Sequence, residues 1–183
     1  LTRSAKQQPA AAHDLDILYL QGTHVKQDIN KSIYYLKNST DFGNDKAQNY
    51  LGRFYYEGTY VKKDVKKGIN HFILSANQNN SLPLYDLGII YLCRLEVPVD
   101  INKAIKYFQL AAQQNNTKAY LELALIYFKS AYIKHDIPKA IHYLKMLPND
   151  DPEAQLILGE IYLDTGSGFY DIEKAISCIE FAV

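Results

Sequence analysis

The sequence has no long hydrophobic run and no excess of charge of one sign. No apolar stretch approaches the roughly 18–20 residues that a spanning helix needs, so we expect no membrane insertion by this segment. Twenty Lys and Arg residues balance twenty Asp and Glu residues, which gives a formal net charge of zero. Proteins that bind nucleic acid or anionic membranes usually carry a basic excess or stripe, so neither class of partner is expected.

Short motifs of catalysis, phosphate binding and metal binding are missing as well. The chain contains no G-x-S-x-G, S-x-x-K, H-E-x-x-H, G-x-G-x-x-G or GxxxxGK(S/T) string. Its five histidines never form H-x(3)-H, and none stands at zinc-ligand spacing from a cysteine. No pair of acidic residues suggests a general acid and base held in one pocket. We therefore expect no enzyme, no cofactor and no metal site.

The two cysteines and the first residues leave the cellular compartment open. Cys93 and Cys178 occupy different positions of the repeated pattern described below, so a disulfide between them is not expected. The chain begins with Leu1 rather than Met, and LTRSAKQQPA lacks the apolar segment of a signal peptide. The expected location is periplasmic or secreted if a signal peptide was removed upstream, and cytoplasmic otherwise.

What the sequence does contain is a motif that returns at constant spacing. The motif is Asp, Ile or Val, any residue, Lys, a small residue and Ile. Its copies are 36, 36, 36 and 35 residues apart and begin at Asp28, Asp64, Asp100, Asp136 and Asp171. Two further columns share this period: Leu15, Leu51, Leu87, Leu123 and Leu158, and Tyr19, Tyr55, Tyr91, Tyr127 and Tyr162. A period of 20–50 residues indicates a repeat architecture whose units stack on their neighbours.

Apolar residues within each repeat have helical spacing. In one segment they fall at Ala47, Leu51, Phe54 and Tyr55, and in the other type of segment they form one face of residues 100–114. Each repeat is therefore predicted to be two helices, A and B, joined by a short loop. The recurring Asp stands directly before helix B, where its carboxylate can accept from free N–H groups of the first turn. The Lys three residues later lies within reach of it, so we expect the motif to be structural.

Small residues and turn residues predict how the helices meet and where helix B ends. A small residue follows the Leu column in every repeat but the first, where Asp16 is expected to be partly solvated in a terminal repeat. The small residue after the Lys also predicts a close contact between helices. Helix B is expected to end near Gly43, Asn79 and Asn115, because Gly and Asn accept the left-handed conformation. Pro148 predicts an early end in the fourth repeat.

The pattern A-x(3)-L-G-x(2)-Y-x(2)-G-x-x-(V/I)-x-x-D-x-x-K-A-I-x-(Y/F) resembles the Sel1-like repeat, a relative of the tetratricopeptide repeat. The resemblance covers roughly residues 11–183. It implies an all-α fold, a right-handed α-solenoid superhelix of about five helix-turn-helix repeats. The sequence departs from the pattern where Arg94, Ser130 and Thr165 replace the loop Gly. The cysteine pair that one bacterial subgroup carries in every repeat is also missing.

The repeats divide the chain into segments of one solenoid domain. The predicted ranges are 1–10 for an N-terminal lead-in, 11–46 for repeat 1, 47–82 for repeat 2, 83–118 for repeat 3, 119–153 for repeat 4 and 154–183 for an incomplete repeat 5.

By the same resemblance, the A helices line the concave side of the array, where a protein or peptide partner would bind. Side chains offset from the core columns of helix A are expected to point into this groove. The candidate partner-binding residues are Asn49, Arg53, Tyr56, Tyr85, Ile89, Leu92, Leu121, Leu125, Phe128 and Glu160. Apolar members would form the floor, with charged walls around it. The alternative is that these side chains pack against helix B or the next repeat.

The resemblance implies a non-enzymatic adaptor or scaffold, and three other functions stay open. The protein would be an immunity protein if it neutralises a secreted bacterial toxin by direct binding. It would be a structural assembly component if the array stacks end to end, and a hydrolase if catalytic residues are scattered in the sequence. The identity of the partner, the organism and the oligomeric state stay open.

Overall fold

The computed structural model describes residues 3–78, 80–93 and 96–182, with side chains from Ala10 onward. This part of the chain is helical and holds no strand. Its helices are α1 (Arg3–Gln21), α2 (Ile29–Asp41), α3 (Asp45–Glu57), α4 (Val65–Ala76), α5 (Ser81–Leu92), α6 (Ile101–Gln113), α7 (Thr117–Lys129), α8 (Ile137–Leu144), α9 (Pro152–Leu163) and α10 (Ile172–Ala182). Odd-numbered helices are the A helices and even-numbered helices the B helices, so the predicted helical hairpins are confirmed.

The chain divides into two compact units, Leu1–Leu87 and Gly88–Val183, and the boundary falls inside α5. In the first unit, α1 packs on α2, α2 on α3 and α3 on α4. Its core contains Leu36, Ala47, Leu51 and Phe54, with Leu20, Tyr55 and Val61 packed against them. Apolar positions at helical spacing therefore supply the contacts both within a hairpin and between hairpins.

In the second unit, α6 packs on α7, and α9 packs on α10. Helix α8 packs between α7 of its own repeat and α9 of the next. The buried core here consists of Ala124, Phe128, Ile137, Ala140, Ile141, Leu144, Leu147, Ala154, Ile157 and Ile161. Neighbouring repeats thus share one core, as expected for stacked repeats.

Each B helix begins directly after the recurring Asp, as predicted. Oδ1 of Asp100 accepts a hydrogen bond from the backbone N–H of Lys103 at 3.0 Å. The Lys side chain also reaches the carboxylate, with Nζ–Oδ2 distances between 2.8 and 3.7 Å in the five copies. The same N–H bond is made in the other repeats by Asp28, Asp64, Asp136 and Asp171. The motif therefore fixes the start of helix B.

The column Tyr of helix A stacks on a ring of helix B. The ring centroids of Tyr91 and Tyr107 are 5.8 Å apart with planes 7° from parallel, and Nζ of Lys103 lies 5.0 Å from the centre of the Tyr91 ring. The same stack is made by Tyr19 with Tyr35, Tyr55 with His71, and Tyr127 with Tyr143. The partner stands seven residues after the capping Asp, at the (Y/F) position of the repeat pattern, and sequence reasoning missed its stacking on the column Tyr. In the fifth repeat this position is Cys178.

The A helices have caps of their own, which sequence reasoning also missed. The side chains of Asn44, Asn116 and Asp151 each accept from the backbone N–H three residues on, at 2.9 to 3.2 Å. Asn80 stands at the corresponding position before α5 and accepts from the N–H of Leu82. These caps follow the period of the repeat, so the column comparison that found the B-helix Asp could have found them too.

Small residues let the two helices of a hairpin approach closely, as predicted. A Cβ atom placed on Gly52 would lie 2.9 Å from Cδ1 of Phe72. A Cβ atom placed on Gly68 would lie 2.9 Å from the carbonyl oxygen of Gly52. Because a backbone oxygen cannot move away as a flexible side chain can, α3 and α4 require glycine at Gly68.

The predicted ends of the B helices are confirmed where the structure describes them. Gly43 and Asn115 have positive φ values of 80° and 60°, which is the left-handed conformation of a helix terminus. Helix α8 ends early, at Leu144, in the repeat that contains Pro148. Asn79 and Arg94, which also entered the sequence predictions, lie outside the described residues.

The expectation that Asp16 is partly solvated is wrong. The residue is 2% exposed, and its Oδ2 lies 2.8 Å from Nδ1 of His13. Burial raises the pKa of Asp16, and the hydrogen bond with His13 lowers it in part. Asp16 occupies the column of Gly52, which lies inside the hairpin, and that interior is buried even in the first repeat. His13 supplies the hydrogen bond that a buried carboxyl group requires.

Candidate binding faces of the A helices

In the first unit, Asn49 and Arg53 lie one turn apart on α3. The guanidinium of Arg53 reaches Asp86 on α5, with Nη2 and Nε 2.9 and 3.2 Å from Oδ2. Nη2 also lies 3.3 Å from Oδ1, so the ion pair is bidentate. It joins two successive A helices. Sequence reasoning missed Asp86, because the residue stands beside the predicted Tyr85 column and not in it.

A cavity opens on this face between α1, α3 and the start of α5. Its volume is about 520 Å³, and its walls include Ile17, Asn49, Tyr50, Arg53, Asn80 and Leu82. Asn49 is 6% exposed, and its Oδ1 has no hydrogen-bond partner among the residues that the structure describes. The ring of Tyr50 lies against His13, with centroids 5.6 Å apart. The cavity therefore combines an apolar rim with an unsatisfied polar group.

The other two candidate residues of this unit are partly buried. Tyr56 lies toward helix B, because its ring centroid is 6.3 Å from that of Phe72 and its Cβ would lie 2.9 Å from a Cβ on Gly68. Tyr85 is partly buried on α5. Tyr56 therefore packs against helix B, which is the alternative that the sequence left open.

In the second unit, Leu121 and Leu125 lie one turn apart on α7. Both pack against the buried core with one side and keep part of their surface exposed. One turn further along, Nζ of Lys129 lies 3.1 Å from Oε2 of Glu160 on α9. Both partners are more than half exposed, so this pair contributes little to stability. It does join two successive A helices, and it sets charge at the edge of the leucine pair.

The remaining candidates of this unit differ in exposure. Phe128 is 9% exposed and belongs to the buried core together with Ile137 and Ala124. Ile89 and Leu92 on α5 are partly buried. The large apolar side chains of α7 that keep exposed surface on this face are therefore Leu121 and Leu125.

The pKa shifts of His71 and Cys178 both arise from burial. Burial lowers the pKa of His71, which stacks on Tyr55. Burial raises the pKa of the Cys178 thiol, which disfavours the reactive thiolate. Within the described ranges, no cluster of three or more His, Cys, Asp or Glu side chains could hold a metal ion. None of the described helices is long and apolar enough to cross a membrane.

Comparison with known proteins identifies the repeat family. The family model described as Sel1 repeat matches residues 9–41, 45–80, 84–116, 117–147 and 152–182. No curated protein matches the chain.

Two crystal structures illustrate the likeness in fold. The chain is similar to a Sel1 repeat protein from Oxalobacter formigenes, with 29% identity and a TM-score of 0.81 over 100% of this chain and 75% of that one. It is also similar to a protective antigen present in uropathogenic Escherichia coli strains that displays an SLR fold, with 24% identity and a TM-score of 0.85. That likeness covers 98% of this chain and 39% of the antigen. The five family matches and these folds show that the protein is an α-solenoid of the Sel1 repeat family, whose members are generally non-enzymatic modules of protein–protein interaction.

Proposed function

We propose that this protein is an adaptor that binds a protein or peptide partner on the exposed faces of its A helices. The observation that carries the proposal is the surface of α7, where Leu121 and Leu125 keep exposed area beside the Lys129–Glu160 ion pair. Apolar residues at the centre with charged residues at the edge are typical of protein-binding surfaces. The apolar pair would supply affinity, and the charges would set the orientation of the partner.

Ion pairs between successive A helices support the same proposal in each unit. Arg53 pairs with Asp86 in the first unit, and Lys129 pairs with Glu160 in the second. The bidentate Arg53–Asp86 pair holds two of these side chains in place before a partner arrives. A surface ordered in advance loses less conformational entropy on binding.

Of the ten candidate residues, we propose direct contact for those with surface on the A-helix faces. These are Arg53, Tyr85, Ile89, Leu92, Leu121, Leu125 and Glu160, and we add Asn49, which is buried but lines the cavity of the first unit. For Tyr56 and Phe128 we propose a supporting role, since both pack into the hairpins.

The proposal is tested by affinity capture from the native source with Leu125→Asp. We expect this variant to lose the partner that the wild type recovers, because a carboxylate in the centre of an apolar contact must be desolvated. The matched control is Met146→Asp, a change of an exposed apolar residue outside α7. Circular dichroism checks that both variants are folded, and mass spectrometry identifies the partner.

Two outcomes would contradict the proposal that a partner binds the α7 face. One is equal recovery of the partner by the wild type and by folded Leu125→Asp. The other is loss of helicity in Leu125→Asp, which would assign the residue to the core. The identity of a partner lost only in this variant distinguishes an adaptor from an inhibitor of a toxin.

A second candidate function is assembly of copies through α10. Its exposed side chains include Ile172, Ile176 and Phe181. The equivalent isoleucines of the preceding repeat, Ile137 and Ile141, are buried. An apolar face of this kind suits contact with another helical repeat, which a second copy could supply.

A further inference from the structure

One residue in the wall of the first unit's cavity has a buried polar atom whose hydrogen-bonding requirement is unmet within the described residues. Asn49 is 6% exposed, lines the cavity, and has no partner for Oδ1 within the described residues. A buried acceptor without a donor lowers stability, because it loses its bond to water and gains nothing in return. Rotation about χ2 exchanges the two amide atoms, so the carbonyl of Asn49 can face the cavity without a backbone change.

Charged groups around the cavity already have partners, with one exception. Oδ2 of Asp45 accepts from Nδ2 of Asn80 at 2.8 Å. Arg53 is held by Asp86 in the bidentate pair. Lys46 lies on the rim and makes no ion pair in the part of the chain that the structure describes. The two groups without a partner among the described residues are therefore Oδ1 of Asn49, a neutral acceptor in the wall, and the Lys46 ammonium at the edge of the cavity.

The rest of the wall is apolar and open to solvent. Leu82 is 54% exposed, Tyr50 is also exposed, and Ile17 is partly exposed. About 520 Å³ is enough for a large apolar side chain together with the backbone on either side of it. A ligand that fits all three features has an apolar group, an N–H donor next to it, and a negative charge nearby.

We propose that this cavity binds an extended peptide segment of the partner protein. An apolar side chain of the segment contacts Tyr50 and Leu82, and the adjacent backbone N–H donates to Oδ1 of Asn49. An acidic side chain next to the apolar residue pairs with Lys46. The proposal rests on the proposed function, since it names the part of a protein partner that the first unit recognises.

The first experiment selects ligands from a phage-displayed library of random twelve-residue peptides on the full chain. We expect the enriched peptides to share an apolar residue with an acidic neighbour. Fluorescence polarisation then measures a labelled peptide against Leu82→Asp and against the matched control Leu74→Asp. Leu74 is 49% exposed on α4, in the same unit but outside the cavity. We expect binding to weaken by at least about tenfold for Leu82→Asp and to stay unchanged for Leu74→Asp.

The second experiment isolates the bond to Asn49. In the ligand, an ester replaces the backbone amide next to the apolar residue and so removes the N–H donor. In the protein, Asn49→Leu removes the acceptor. We expect the ester to weaken wild-type binding by about tenfold and to have no effect on binding to Asn49→Leu. Asn49→Asp retains an acceptor and should restore sensitivity to the ester. Because Asn49→Leu removes an unsatisfied polar group, we expect its melting temperature to equal or exceed that of the wild type.

The outcomes separate this inference from the proposed function. A library that yields no binder, binders unaffected by Leu82→Asp, or an ester effect of equal size in the wild type and Asn49→Leu would each overturn the peptide site. The adaptor function would survive those results if Leu125→Asp still abolished capture of the partner. The converse result is that Leu125→Asp recovers the partner as well as the wild type does, while the ester still weakens binding to the wild type only. That result would refute binding at the α7 face and leave the peptide site in place.

Discussion

At the scale of single residues, each recurring Asp both caps helix B and pairs with the charged Lys three residues later. The backbone N–H of Lys103, and then its side chain, hold the pKa of Asp100 below the ordinary 3.8. For Asp136 and Asp171, the Lys side chain contributes most to the lowered pKa, followed by the backbone N–H. A carboxyl group whose pKa is lower in the folded state stabilises the fold above its unfolded pKa. That stabilisation is lost as the pH falls through the folded value.

We therefore expect the caps to contribute to acid unfolding. The triple variant Asp100→Asn, Asp136→Asn, Asp171→Asn keeps a capping oxygen but has no carboxylate to protonate. Its melting temperature should change less than that of the wild type between about pH 5 and pH 2. Thermal unfolding followed by circular dichroism measures both slopes. Asp150→Asn, at an exposed position outside the caps, is the control, and equal slopes for the triple variant and the wild type would contradict the prediction.

At the scale of the helical hairpin, aromatic stacking complements the apolar core. Tyr127 and Tyr143 stack with centroids 5.8 Å apart, and Nζ of Lys139 lies 5.0 Å from the centre of the Tyr127 ring. In the fifth repeat, Lys174 still lies 5.7 Å from the centre of the Tyr162 ring, but Cys178 stands where a ring is found elsewhere. This hairpin therefore lacks one contact that the other repeats have.

We expect Cys178→Tyr to stabilise the protein by about 0.5–1.5 kcal/mol, the usual contribution of an aromatic pair. The new ring would stack on Tyr162 as Tyr143 stacks on Tyr127. Urea unfolding followed by circular dichroism measures the gain. Cys178→Leu adds apolar volume without a ring and is the matched control. A gain in Cys178→Leu as large as that in Cys178→Tyr would show that burial, and not stacking, is responsible.

At the scale of the whole molecule, the arrangement of repeats decides which repeated residues are covered. Ile137 is 8% exposed, whereas Ile172, at the same position of the motif, is 46% exposed. Helix α8 is covered by α9, while α10 presents its apolar side chains to solvent. Identical motif positions therefore have different environments in different repeats.

If α10 mediates assembly, the mass in solution should exceed the 20.9 kDa of one chain and rise with concentration. Static light scattering measures this mass. The double variant Ile172→Lys, Ile176→Lys should return the protein to the mass of one chain, because lysine in an apolar contact must be desolvated. Tyr34→Lys, a change at an exposed position of α2, is the control. A wild-type mass of one chain at all concentrations would exclude the assembly function.

Much of the fold could be predicted from the sequence because its determinants are local. The capping Asp, the Lys three residues later and the helical spacing of apolar residues act within one or two turns. The same local rules explain the left-handed Asn115 and the early end of α8. The A-helix caps were missed although their signal was present, since the column of Asn44 and Asn116 has the same period.

The candidate site could be predicted only in outline. Periodicity assigned Leu125 and Phe128 to one surface, yet a difference of three positions leaves one partly exposed and the other in the core. The partner of Arg53 is 33 residues away, and no local rule selects Asp86. The buried Asp16 was misjudged because its environment depends on His13 and on the interior of the hairpin.

The sequence by itself determined the repeat, the helices, their caps and the family, because each depends on neighbours in the chain or on a regular period. Only the tertiary structure decided which side chains keep exposed surface, which ion pairs join the A helices, and where Oδ1 of Asn49 has no donor in the described part of the chain. Burial and long-range pairing depend on how helices distant in sequence pack together, and the same residue in the same motif can therefore be core in one repeat and surface in another.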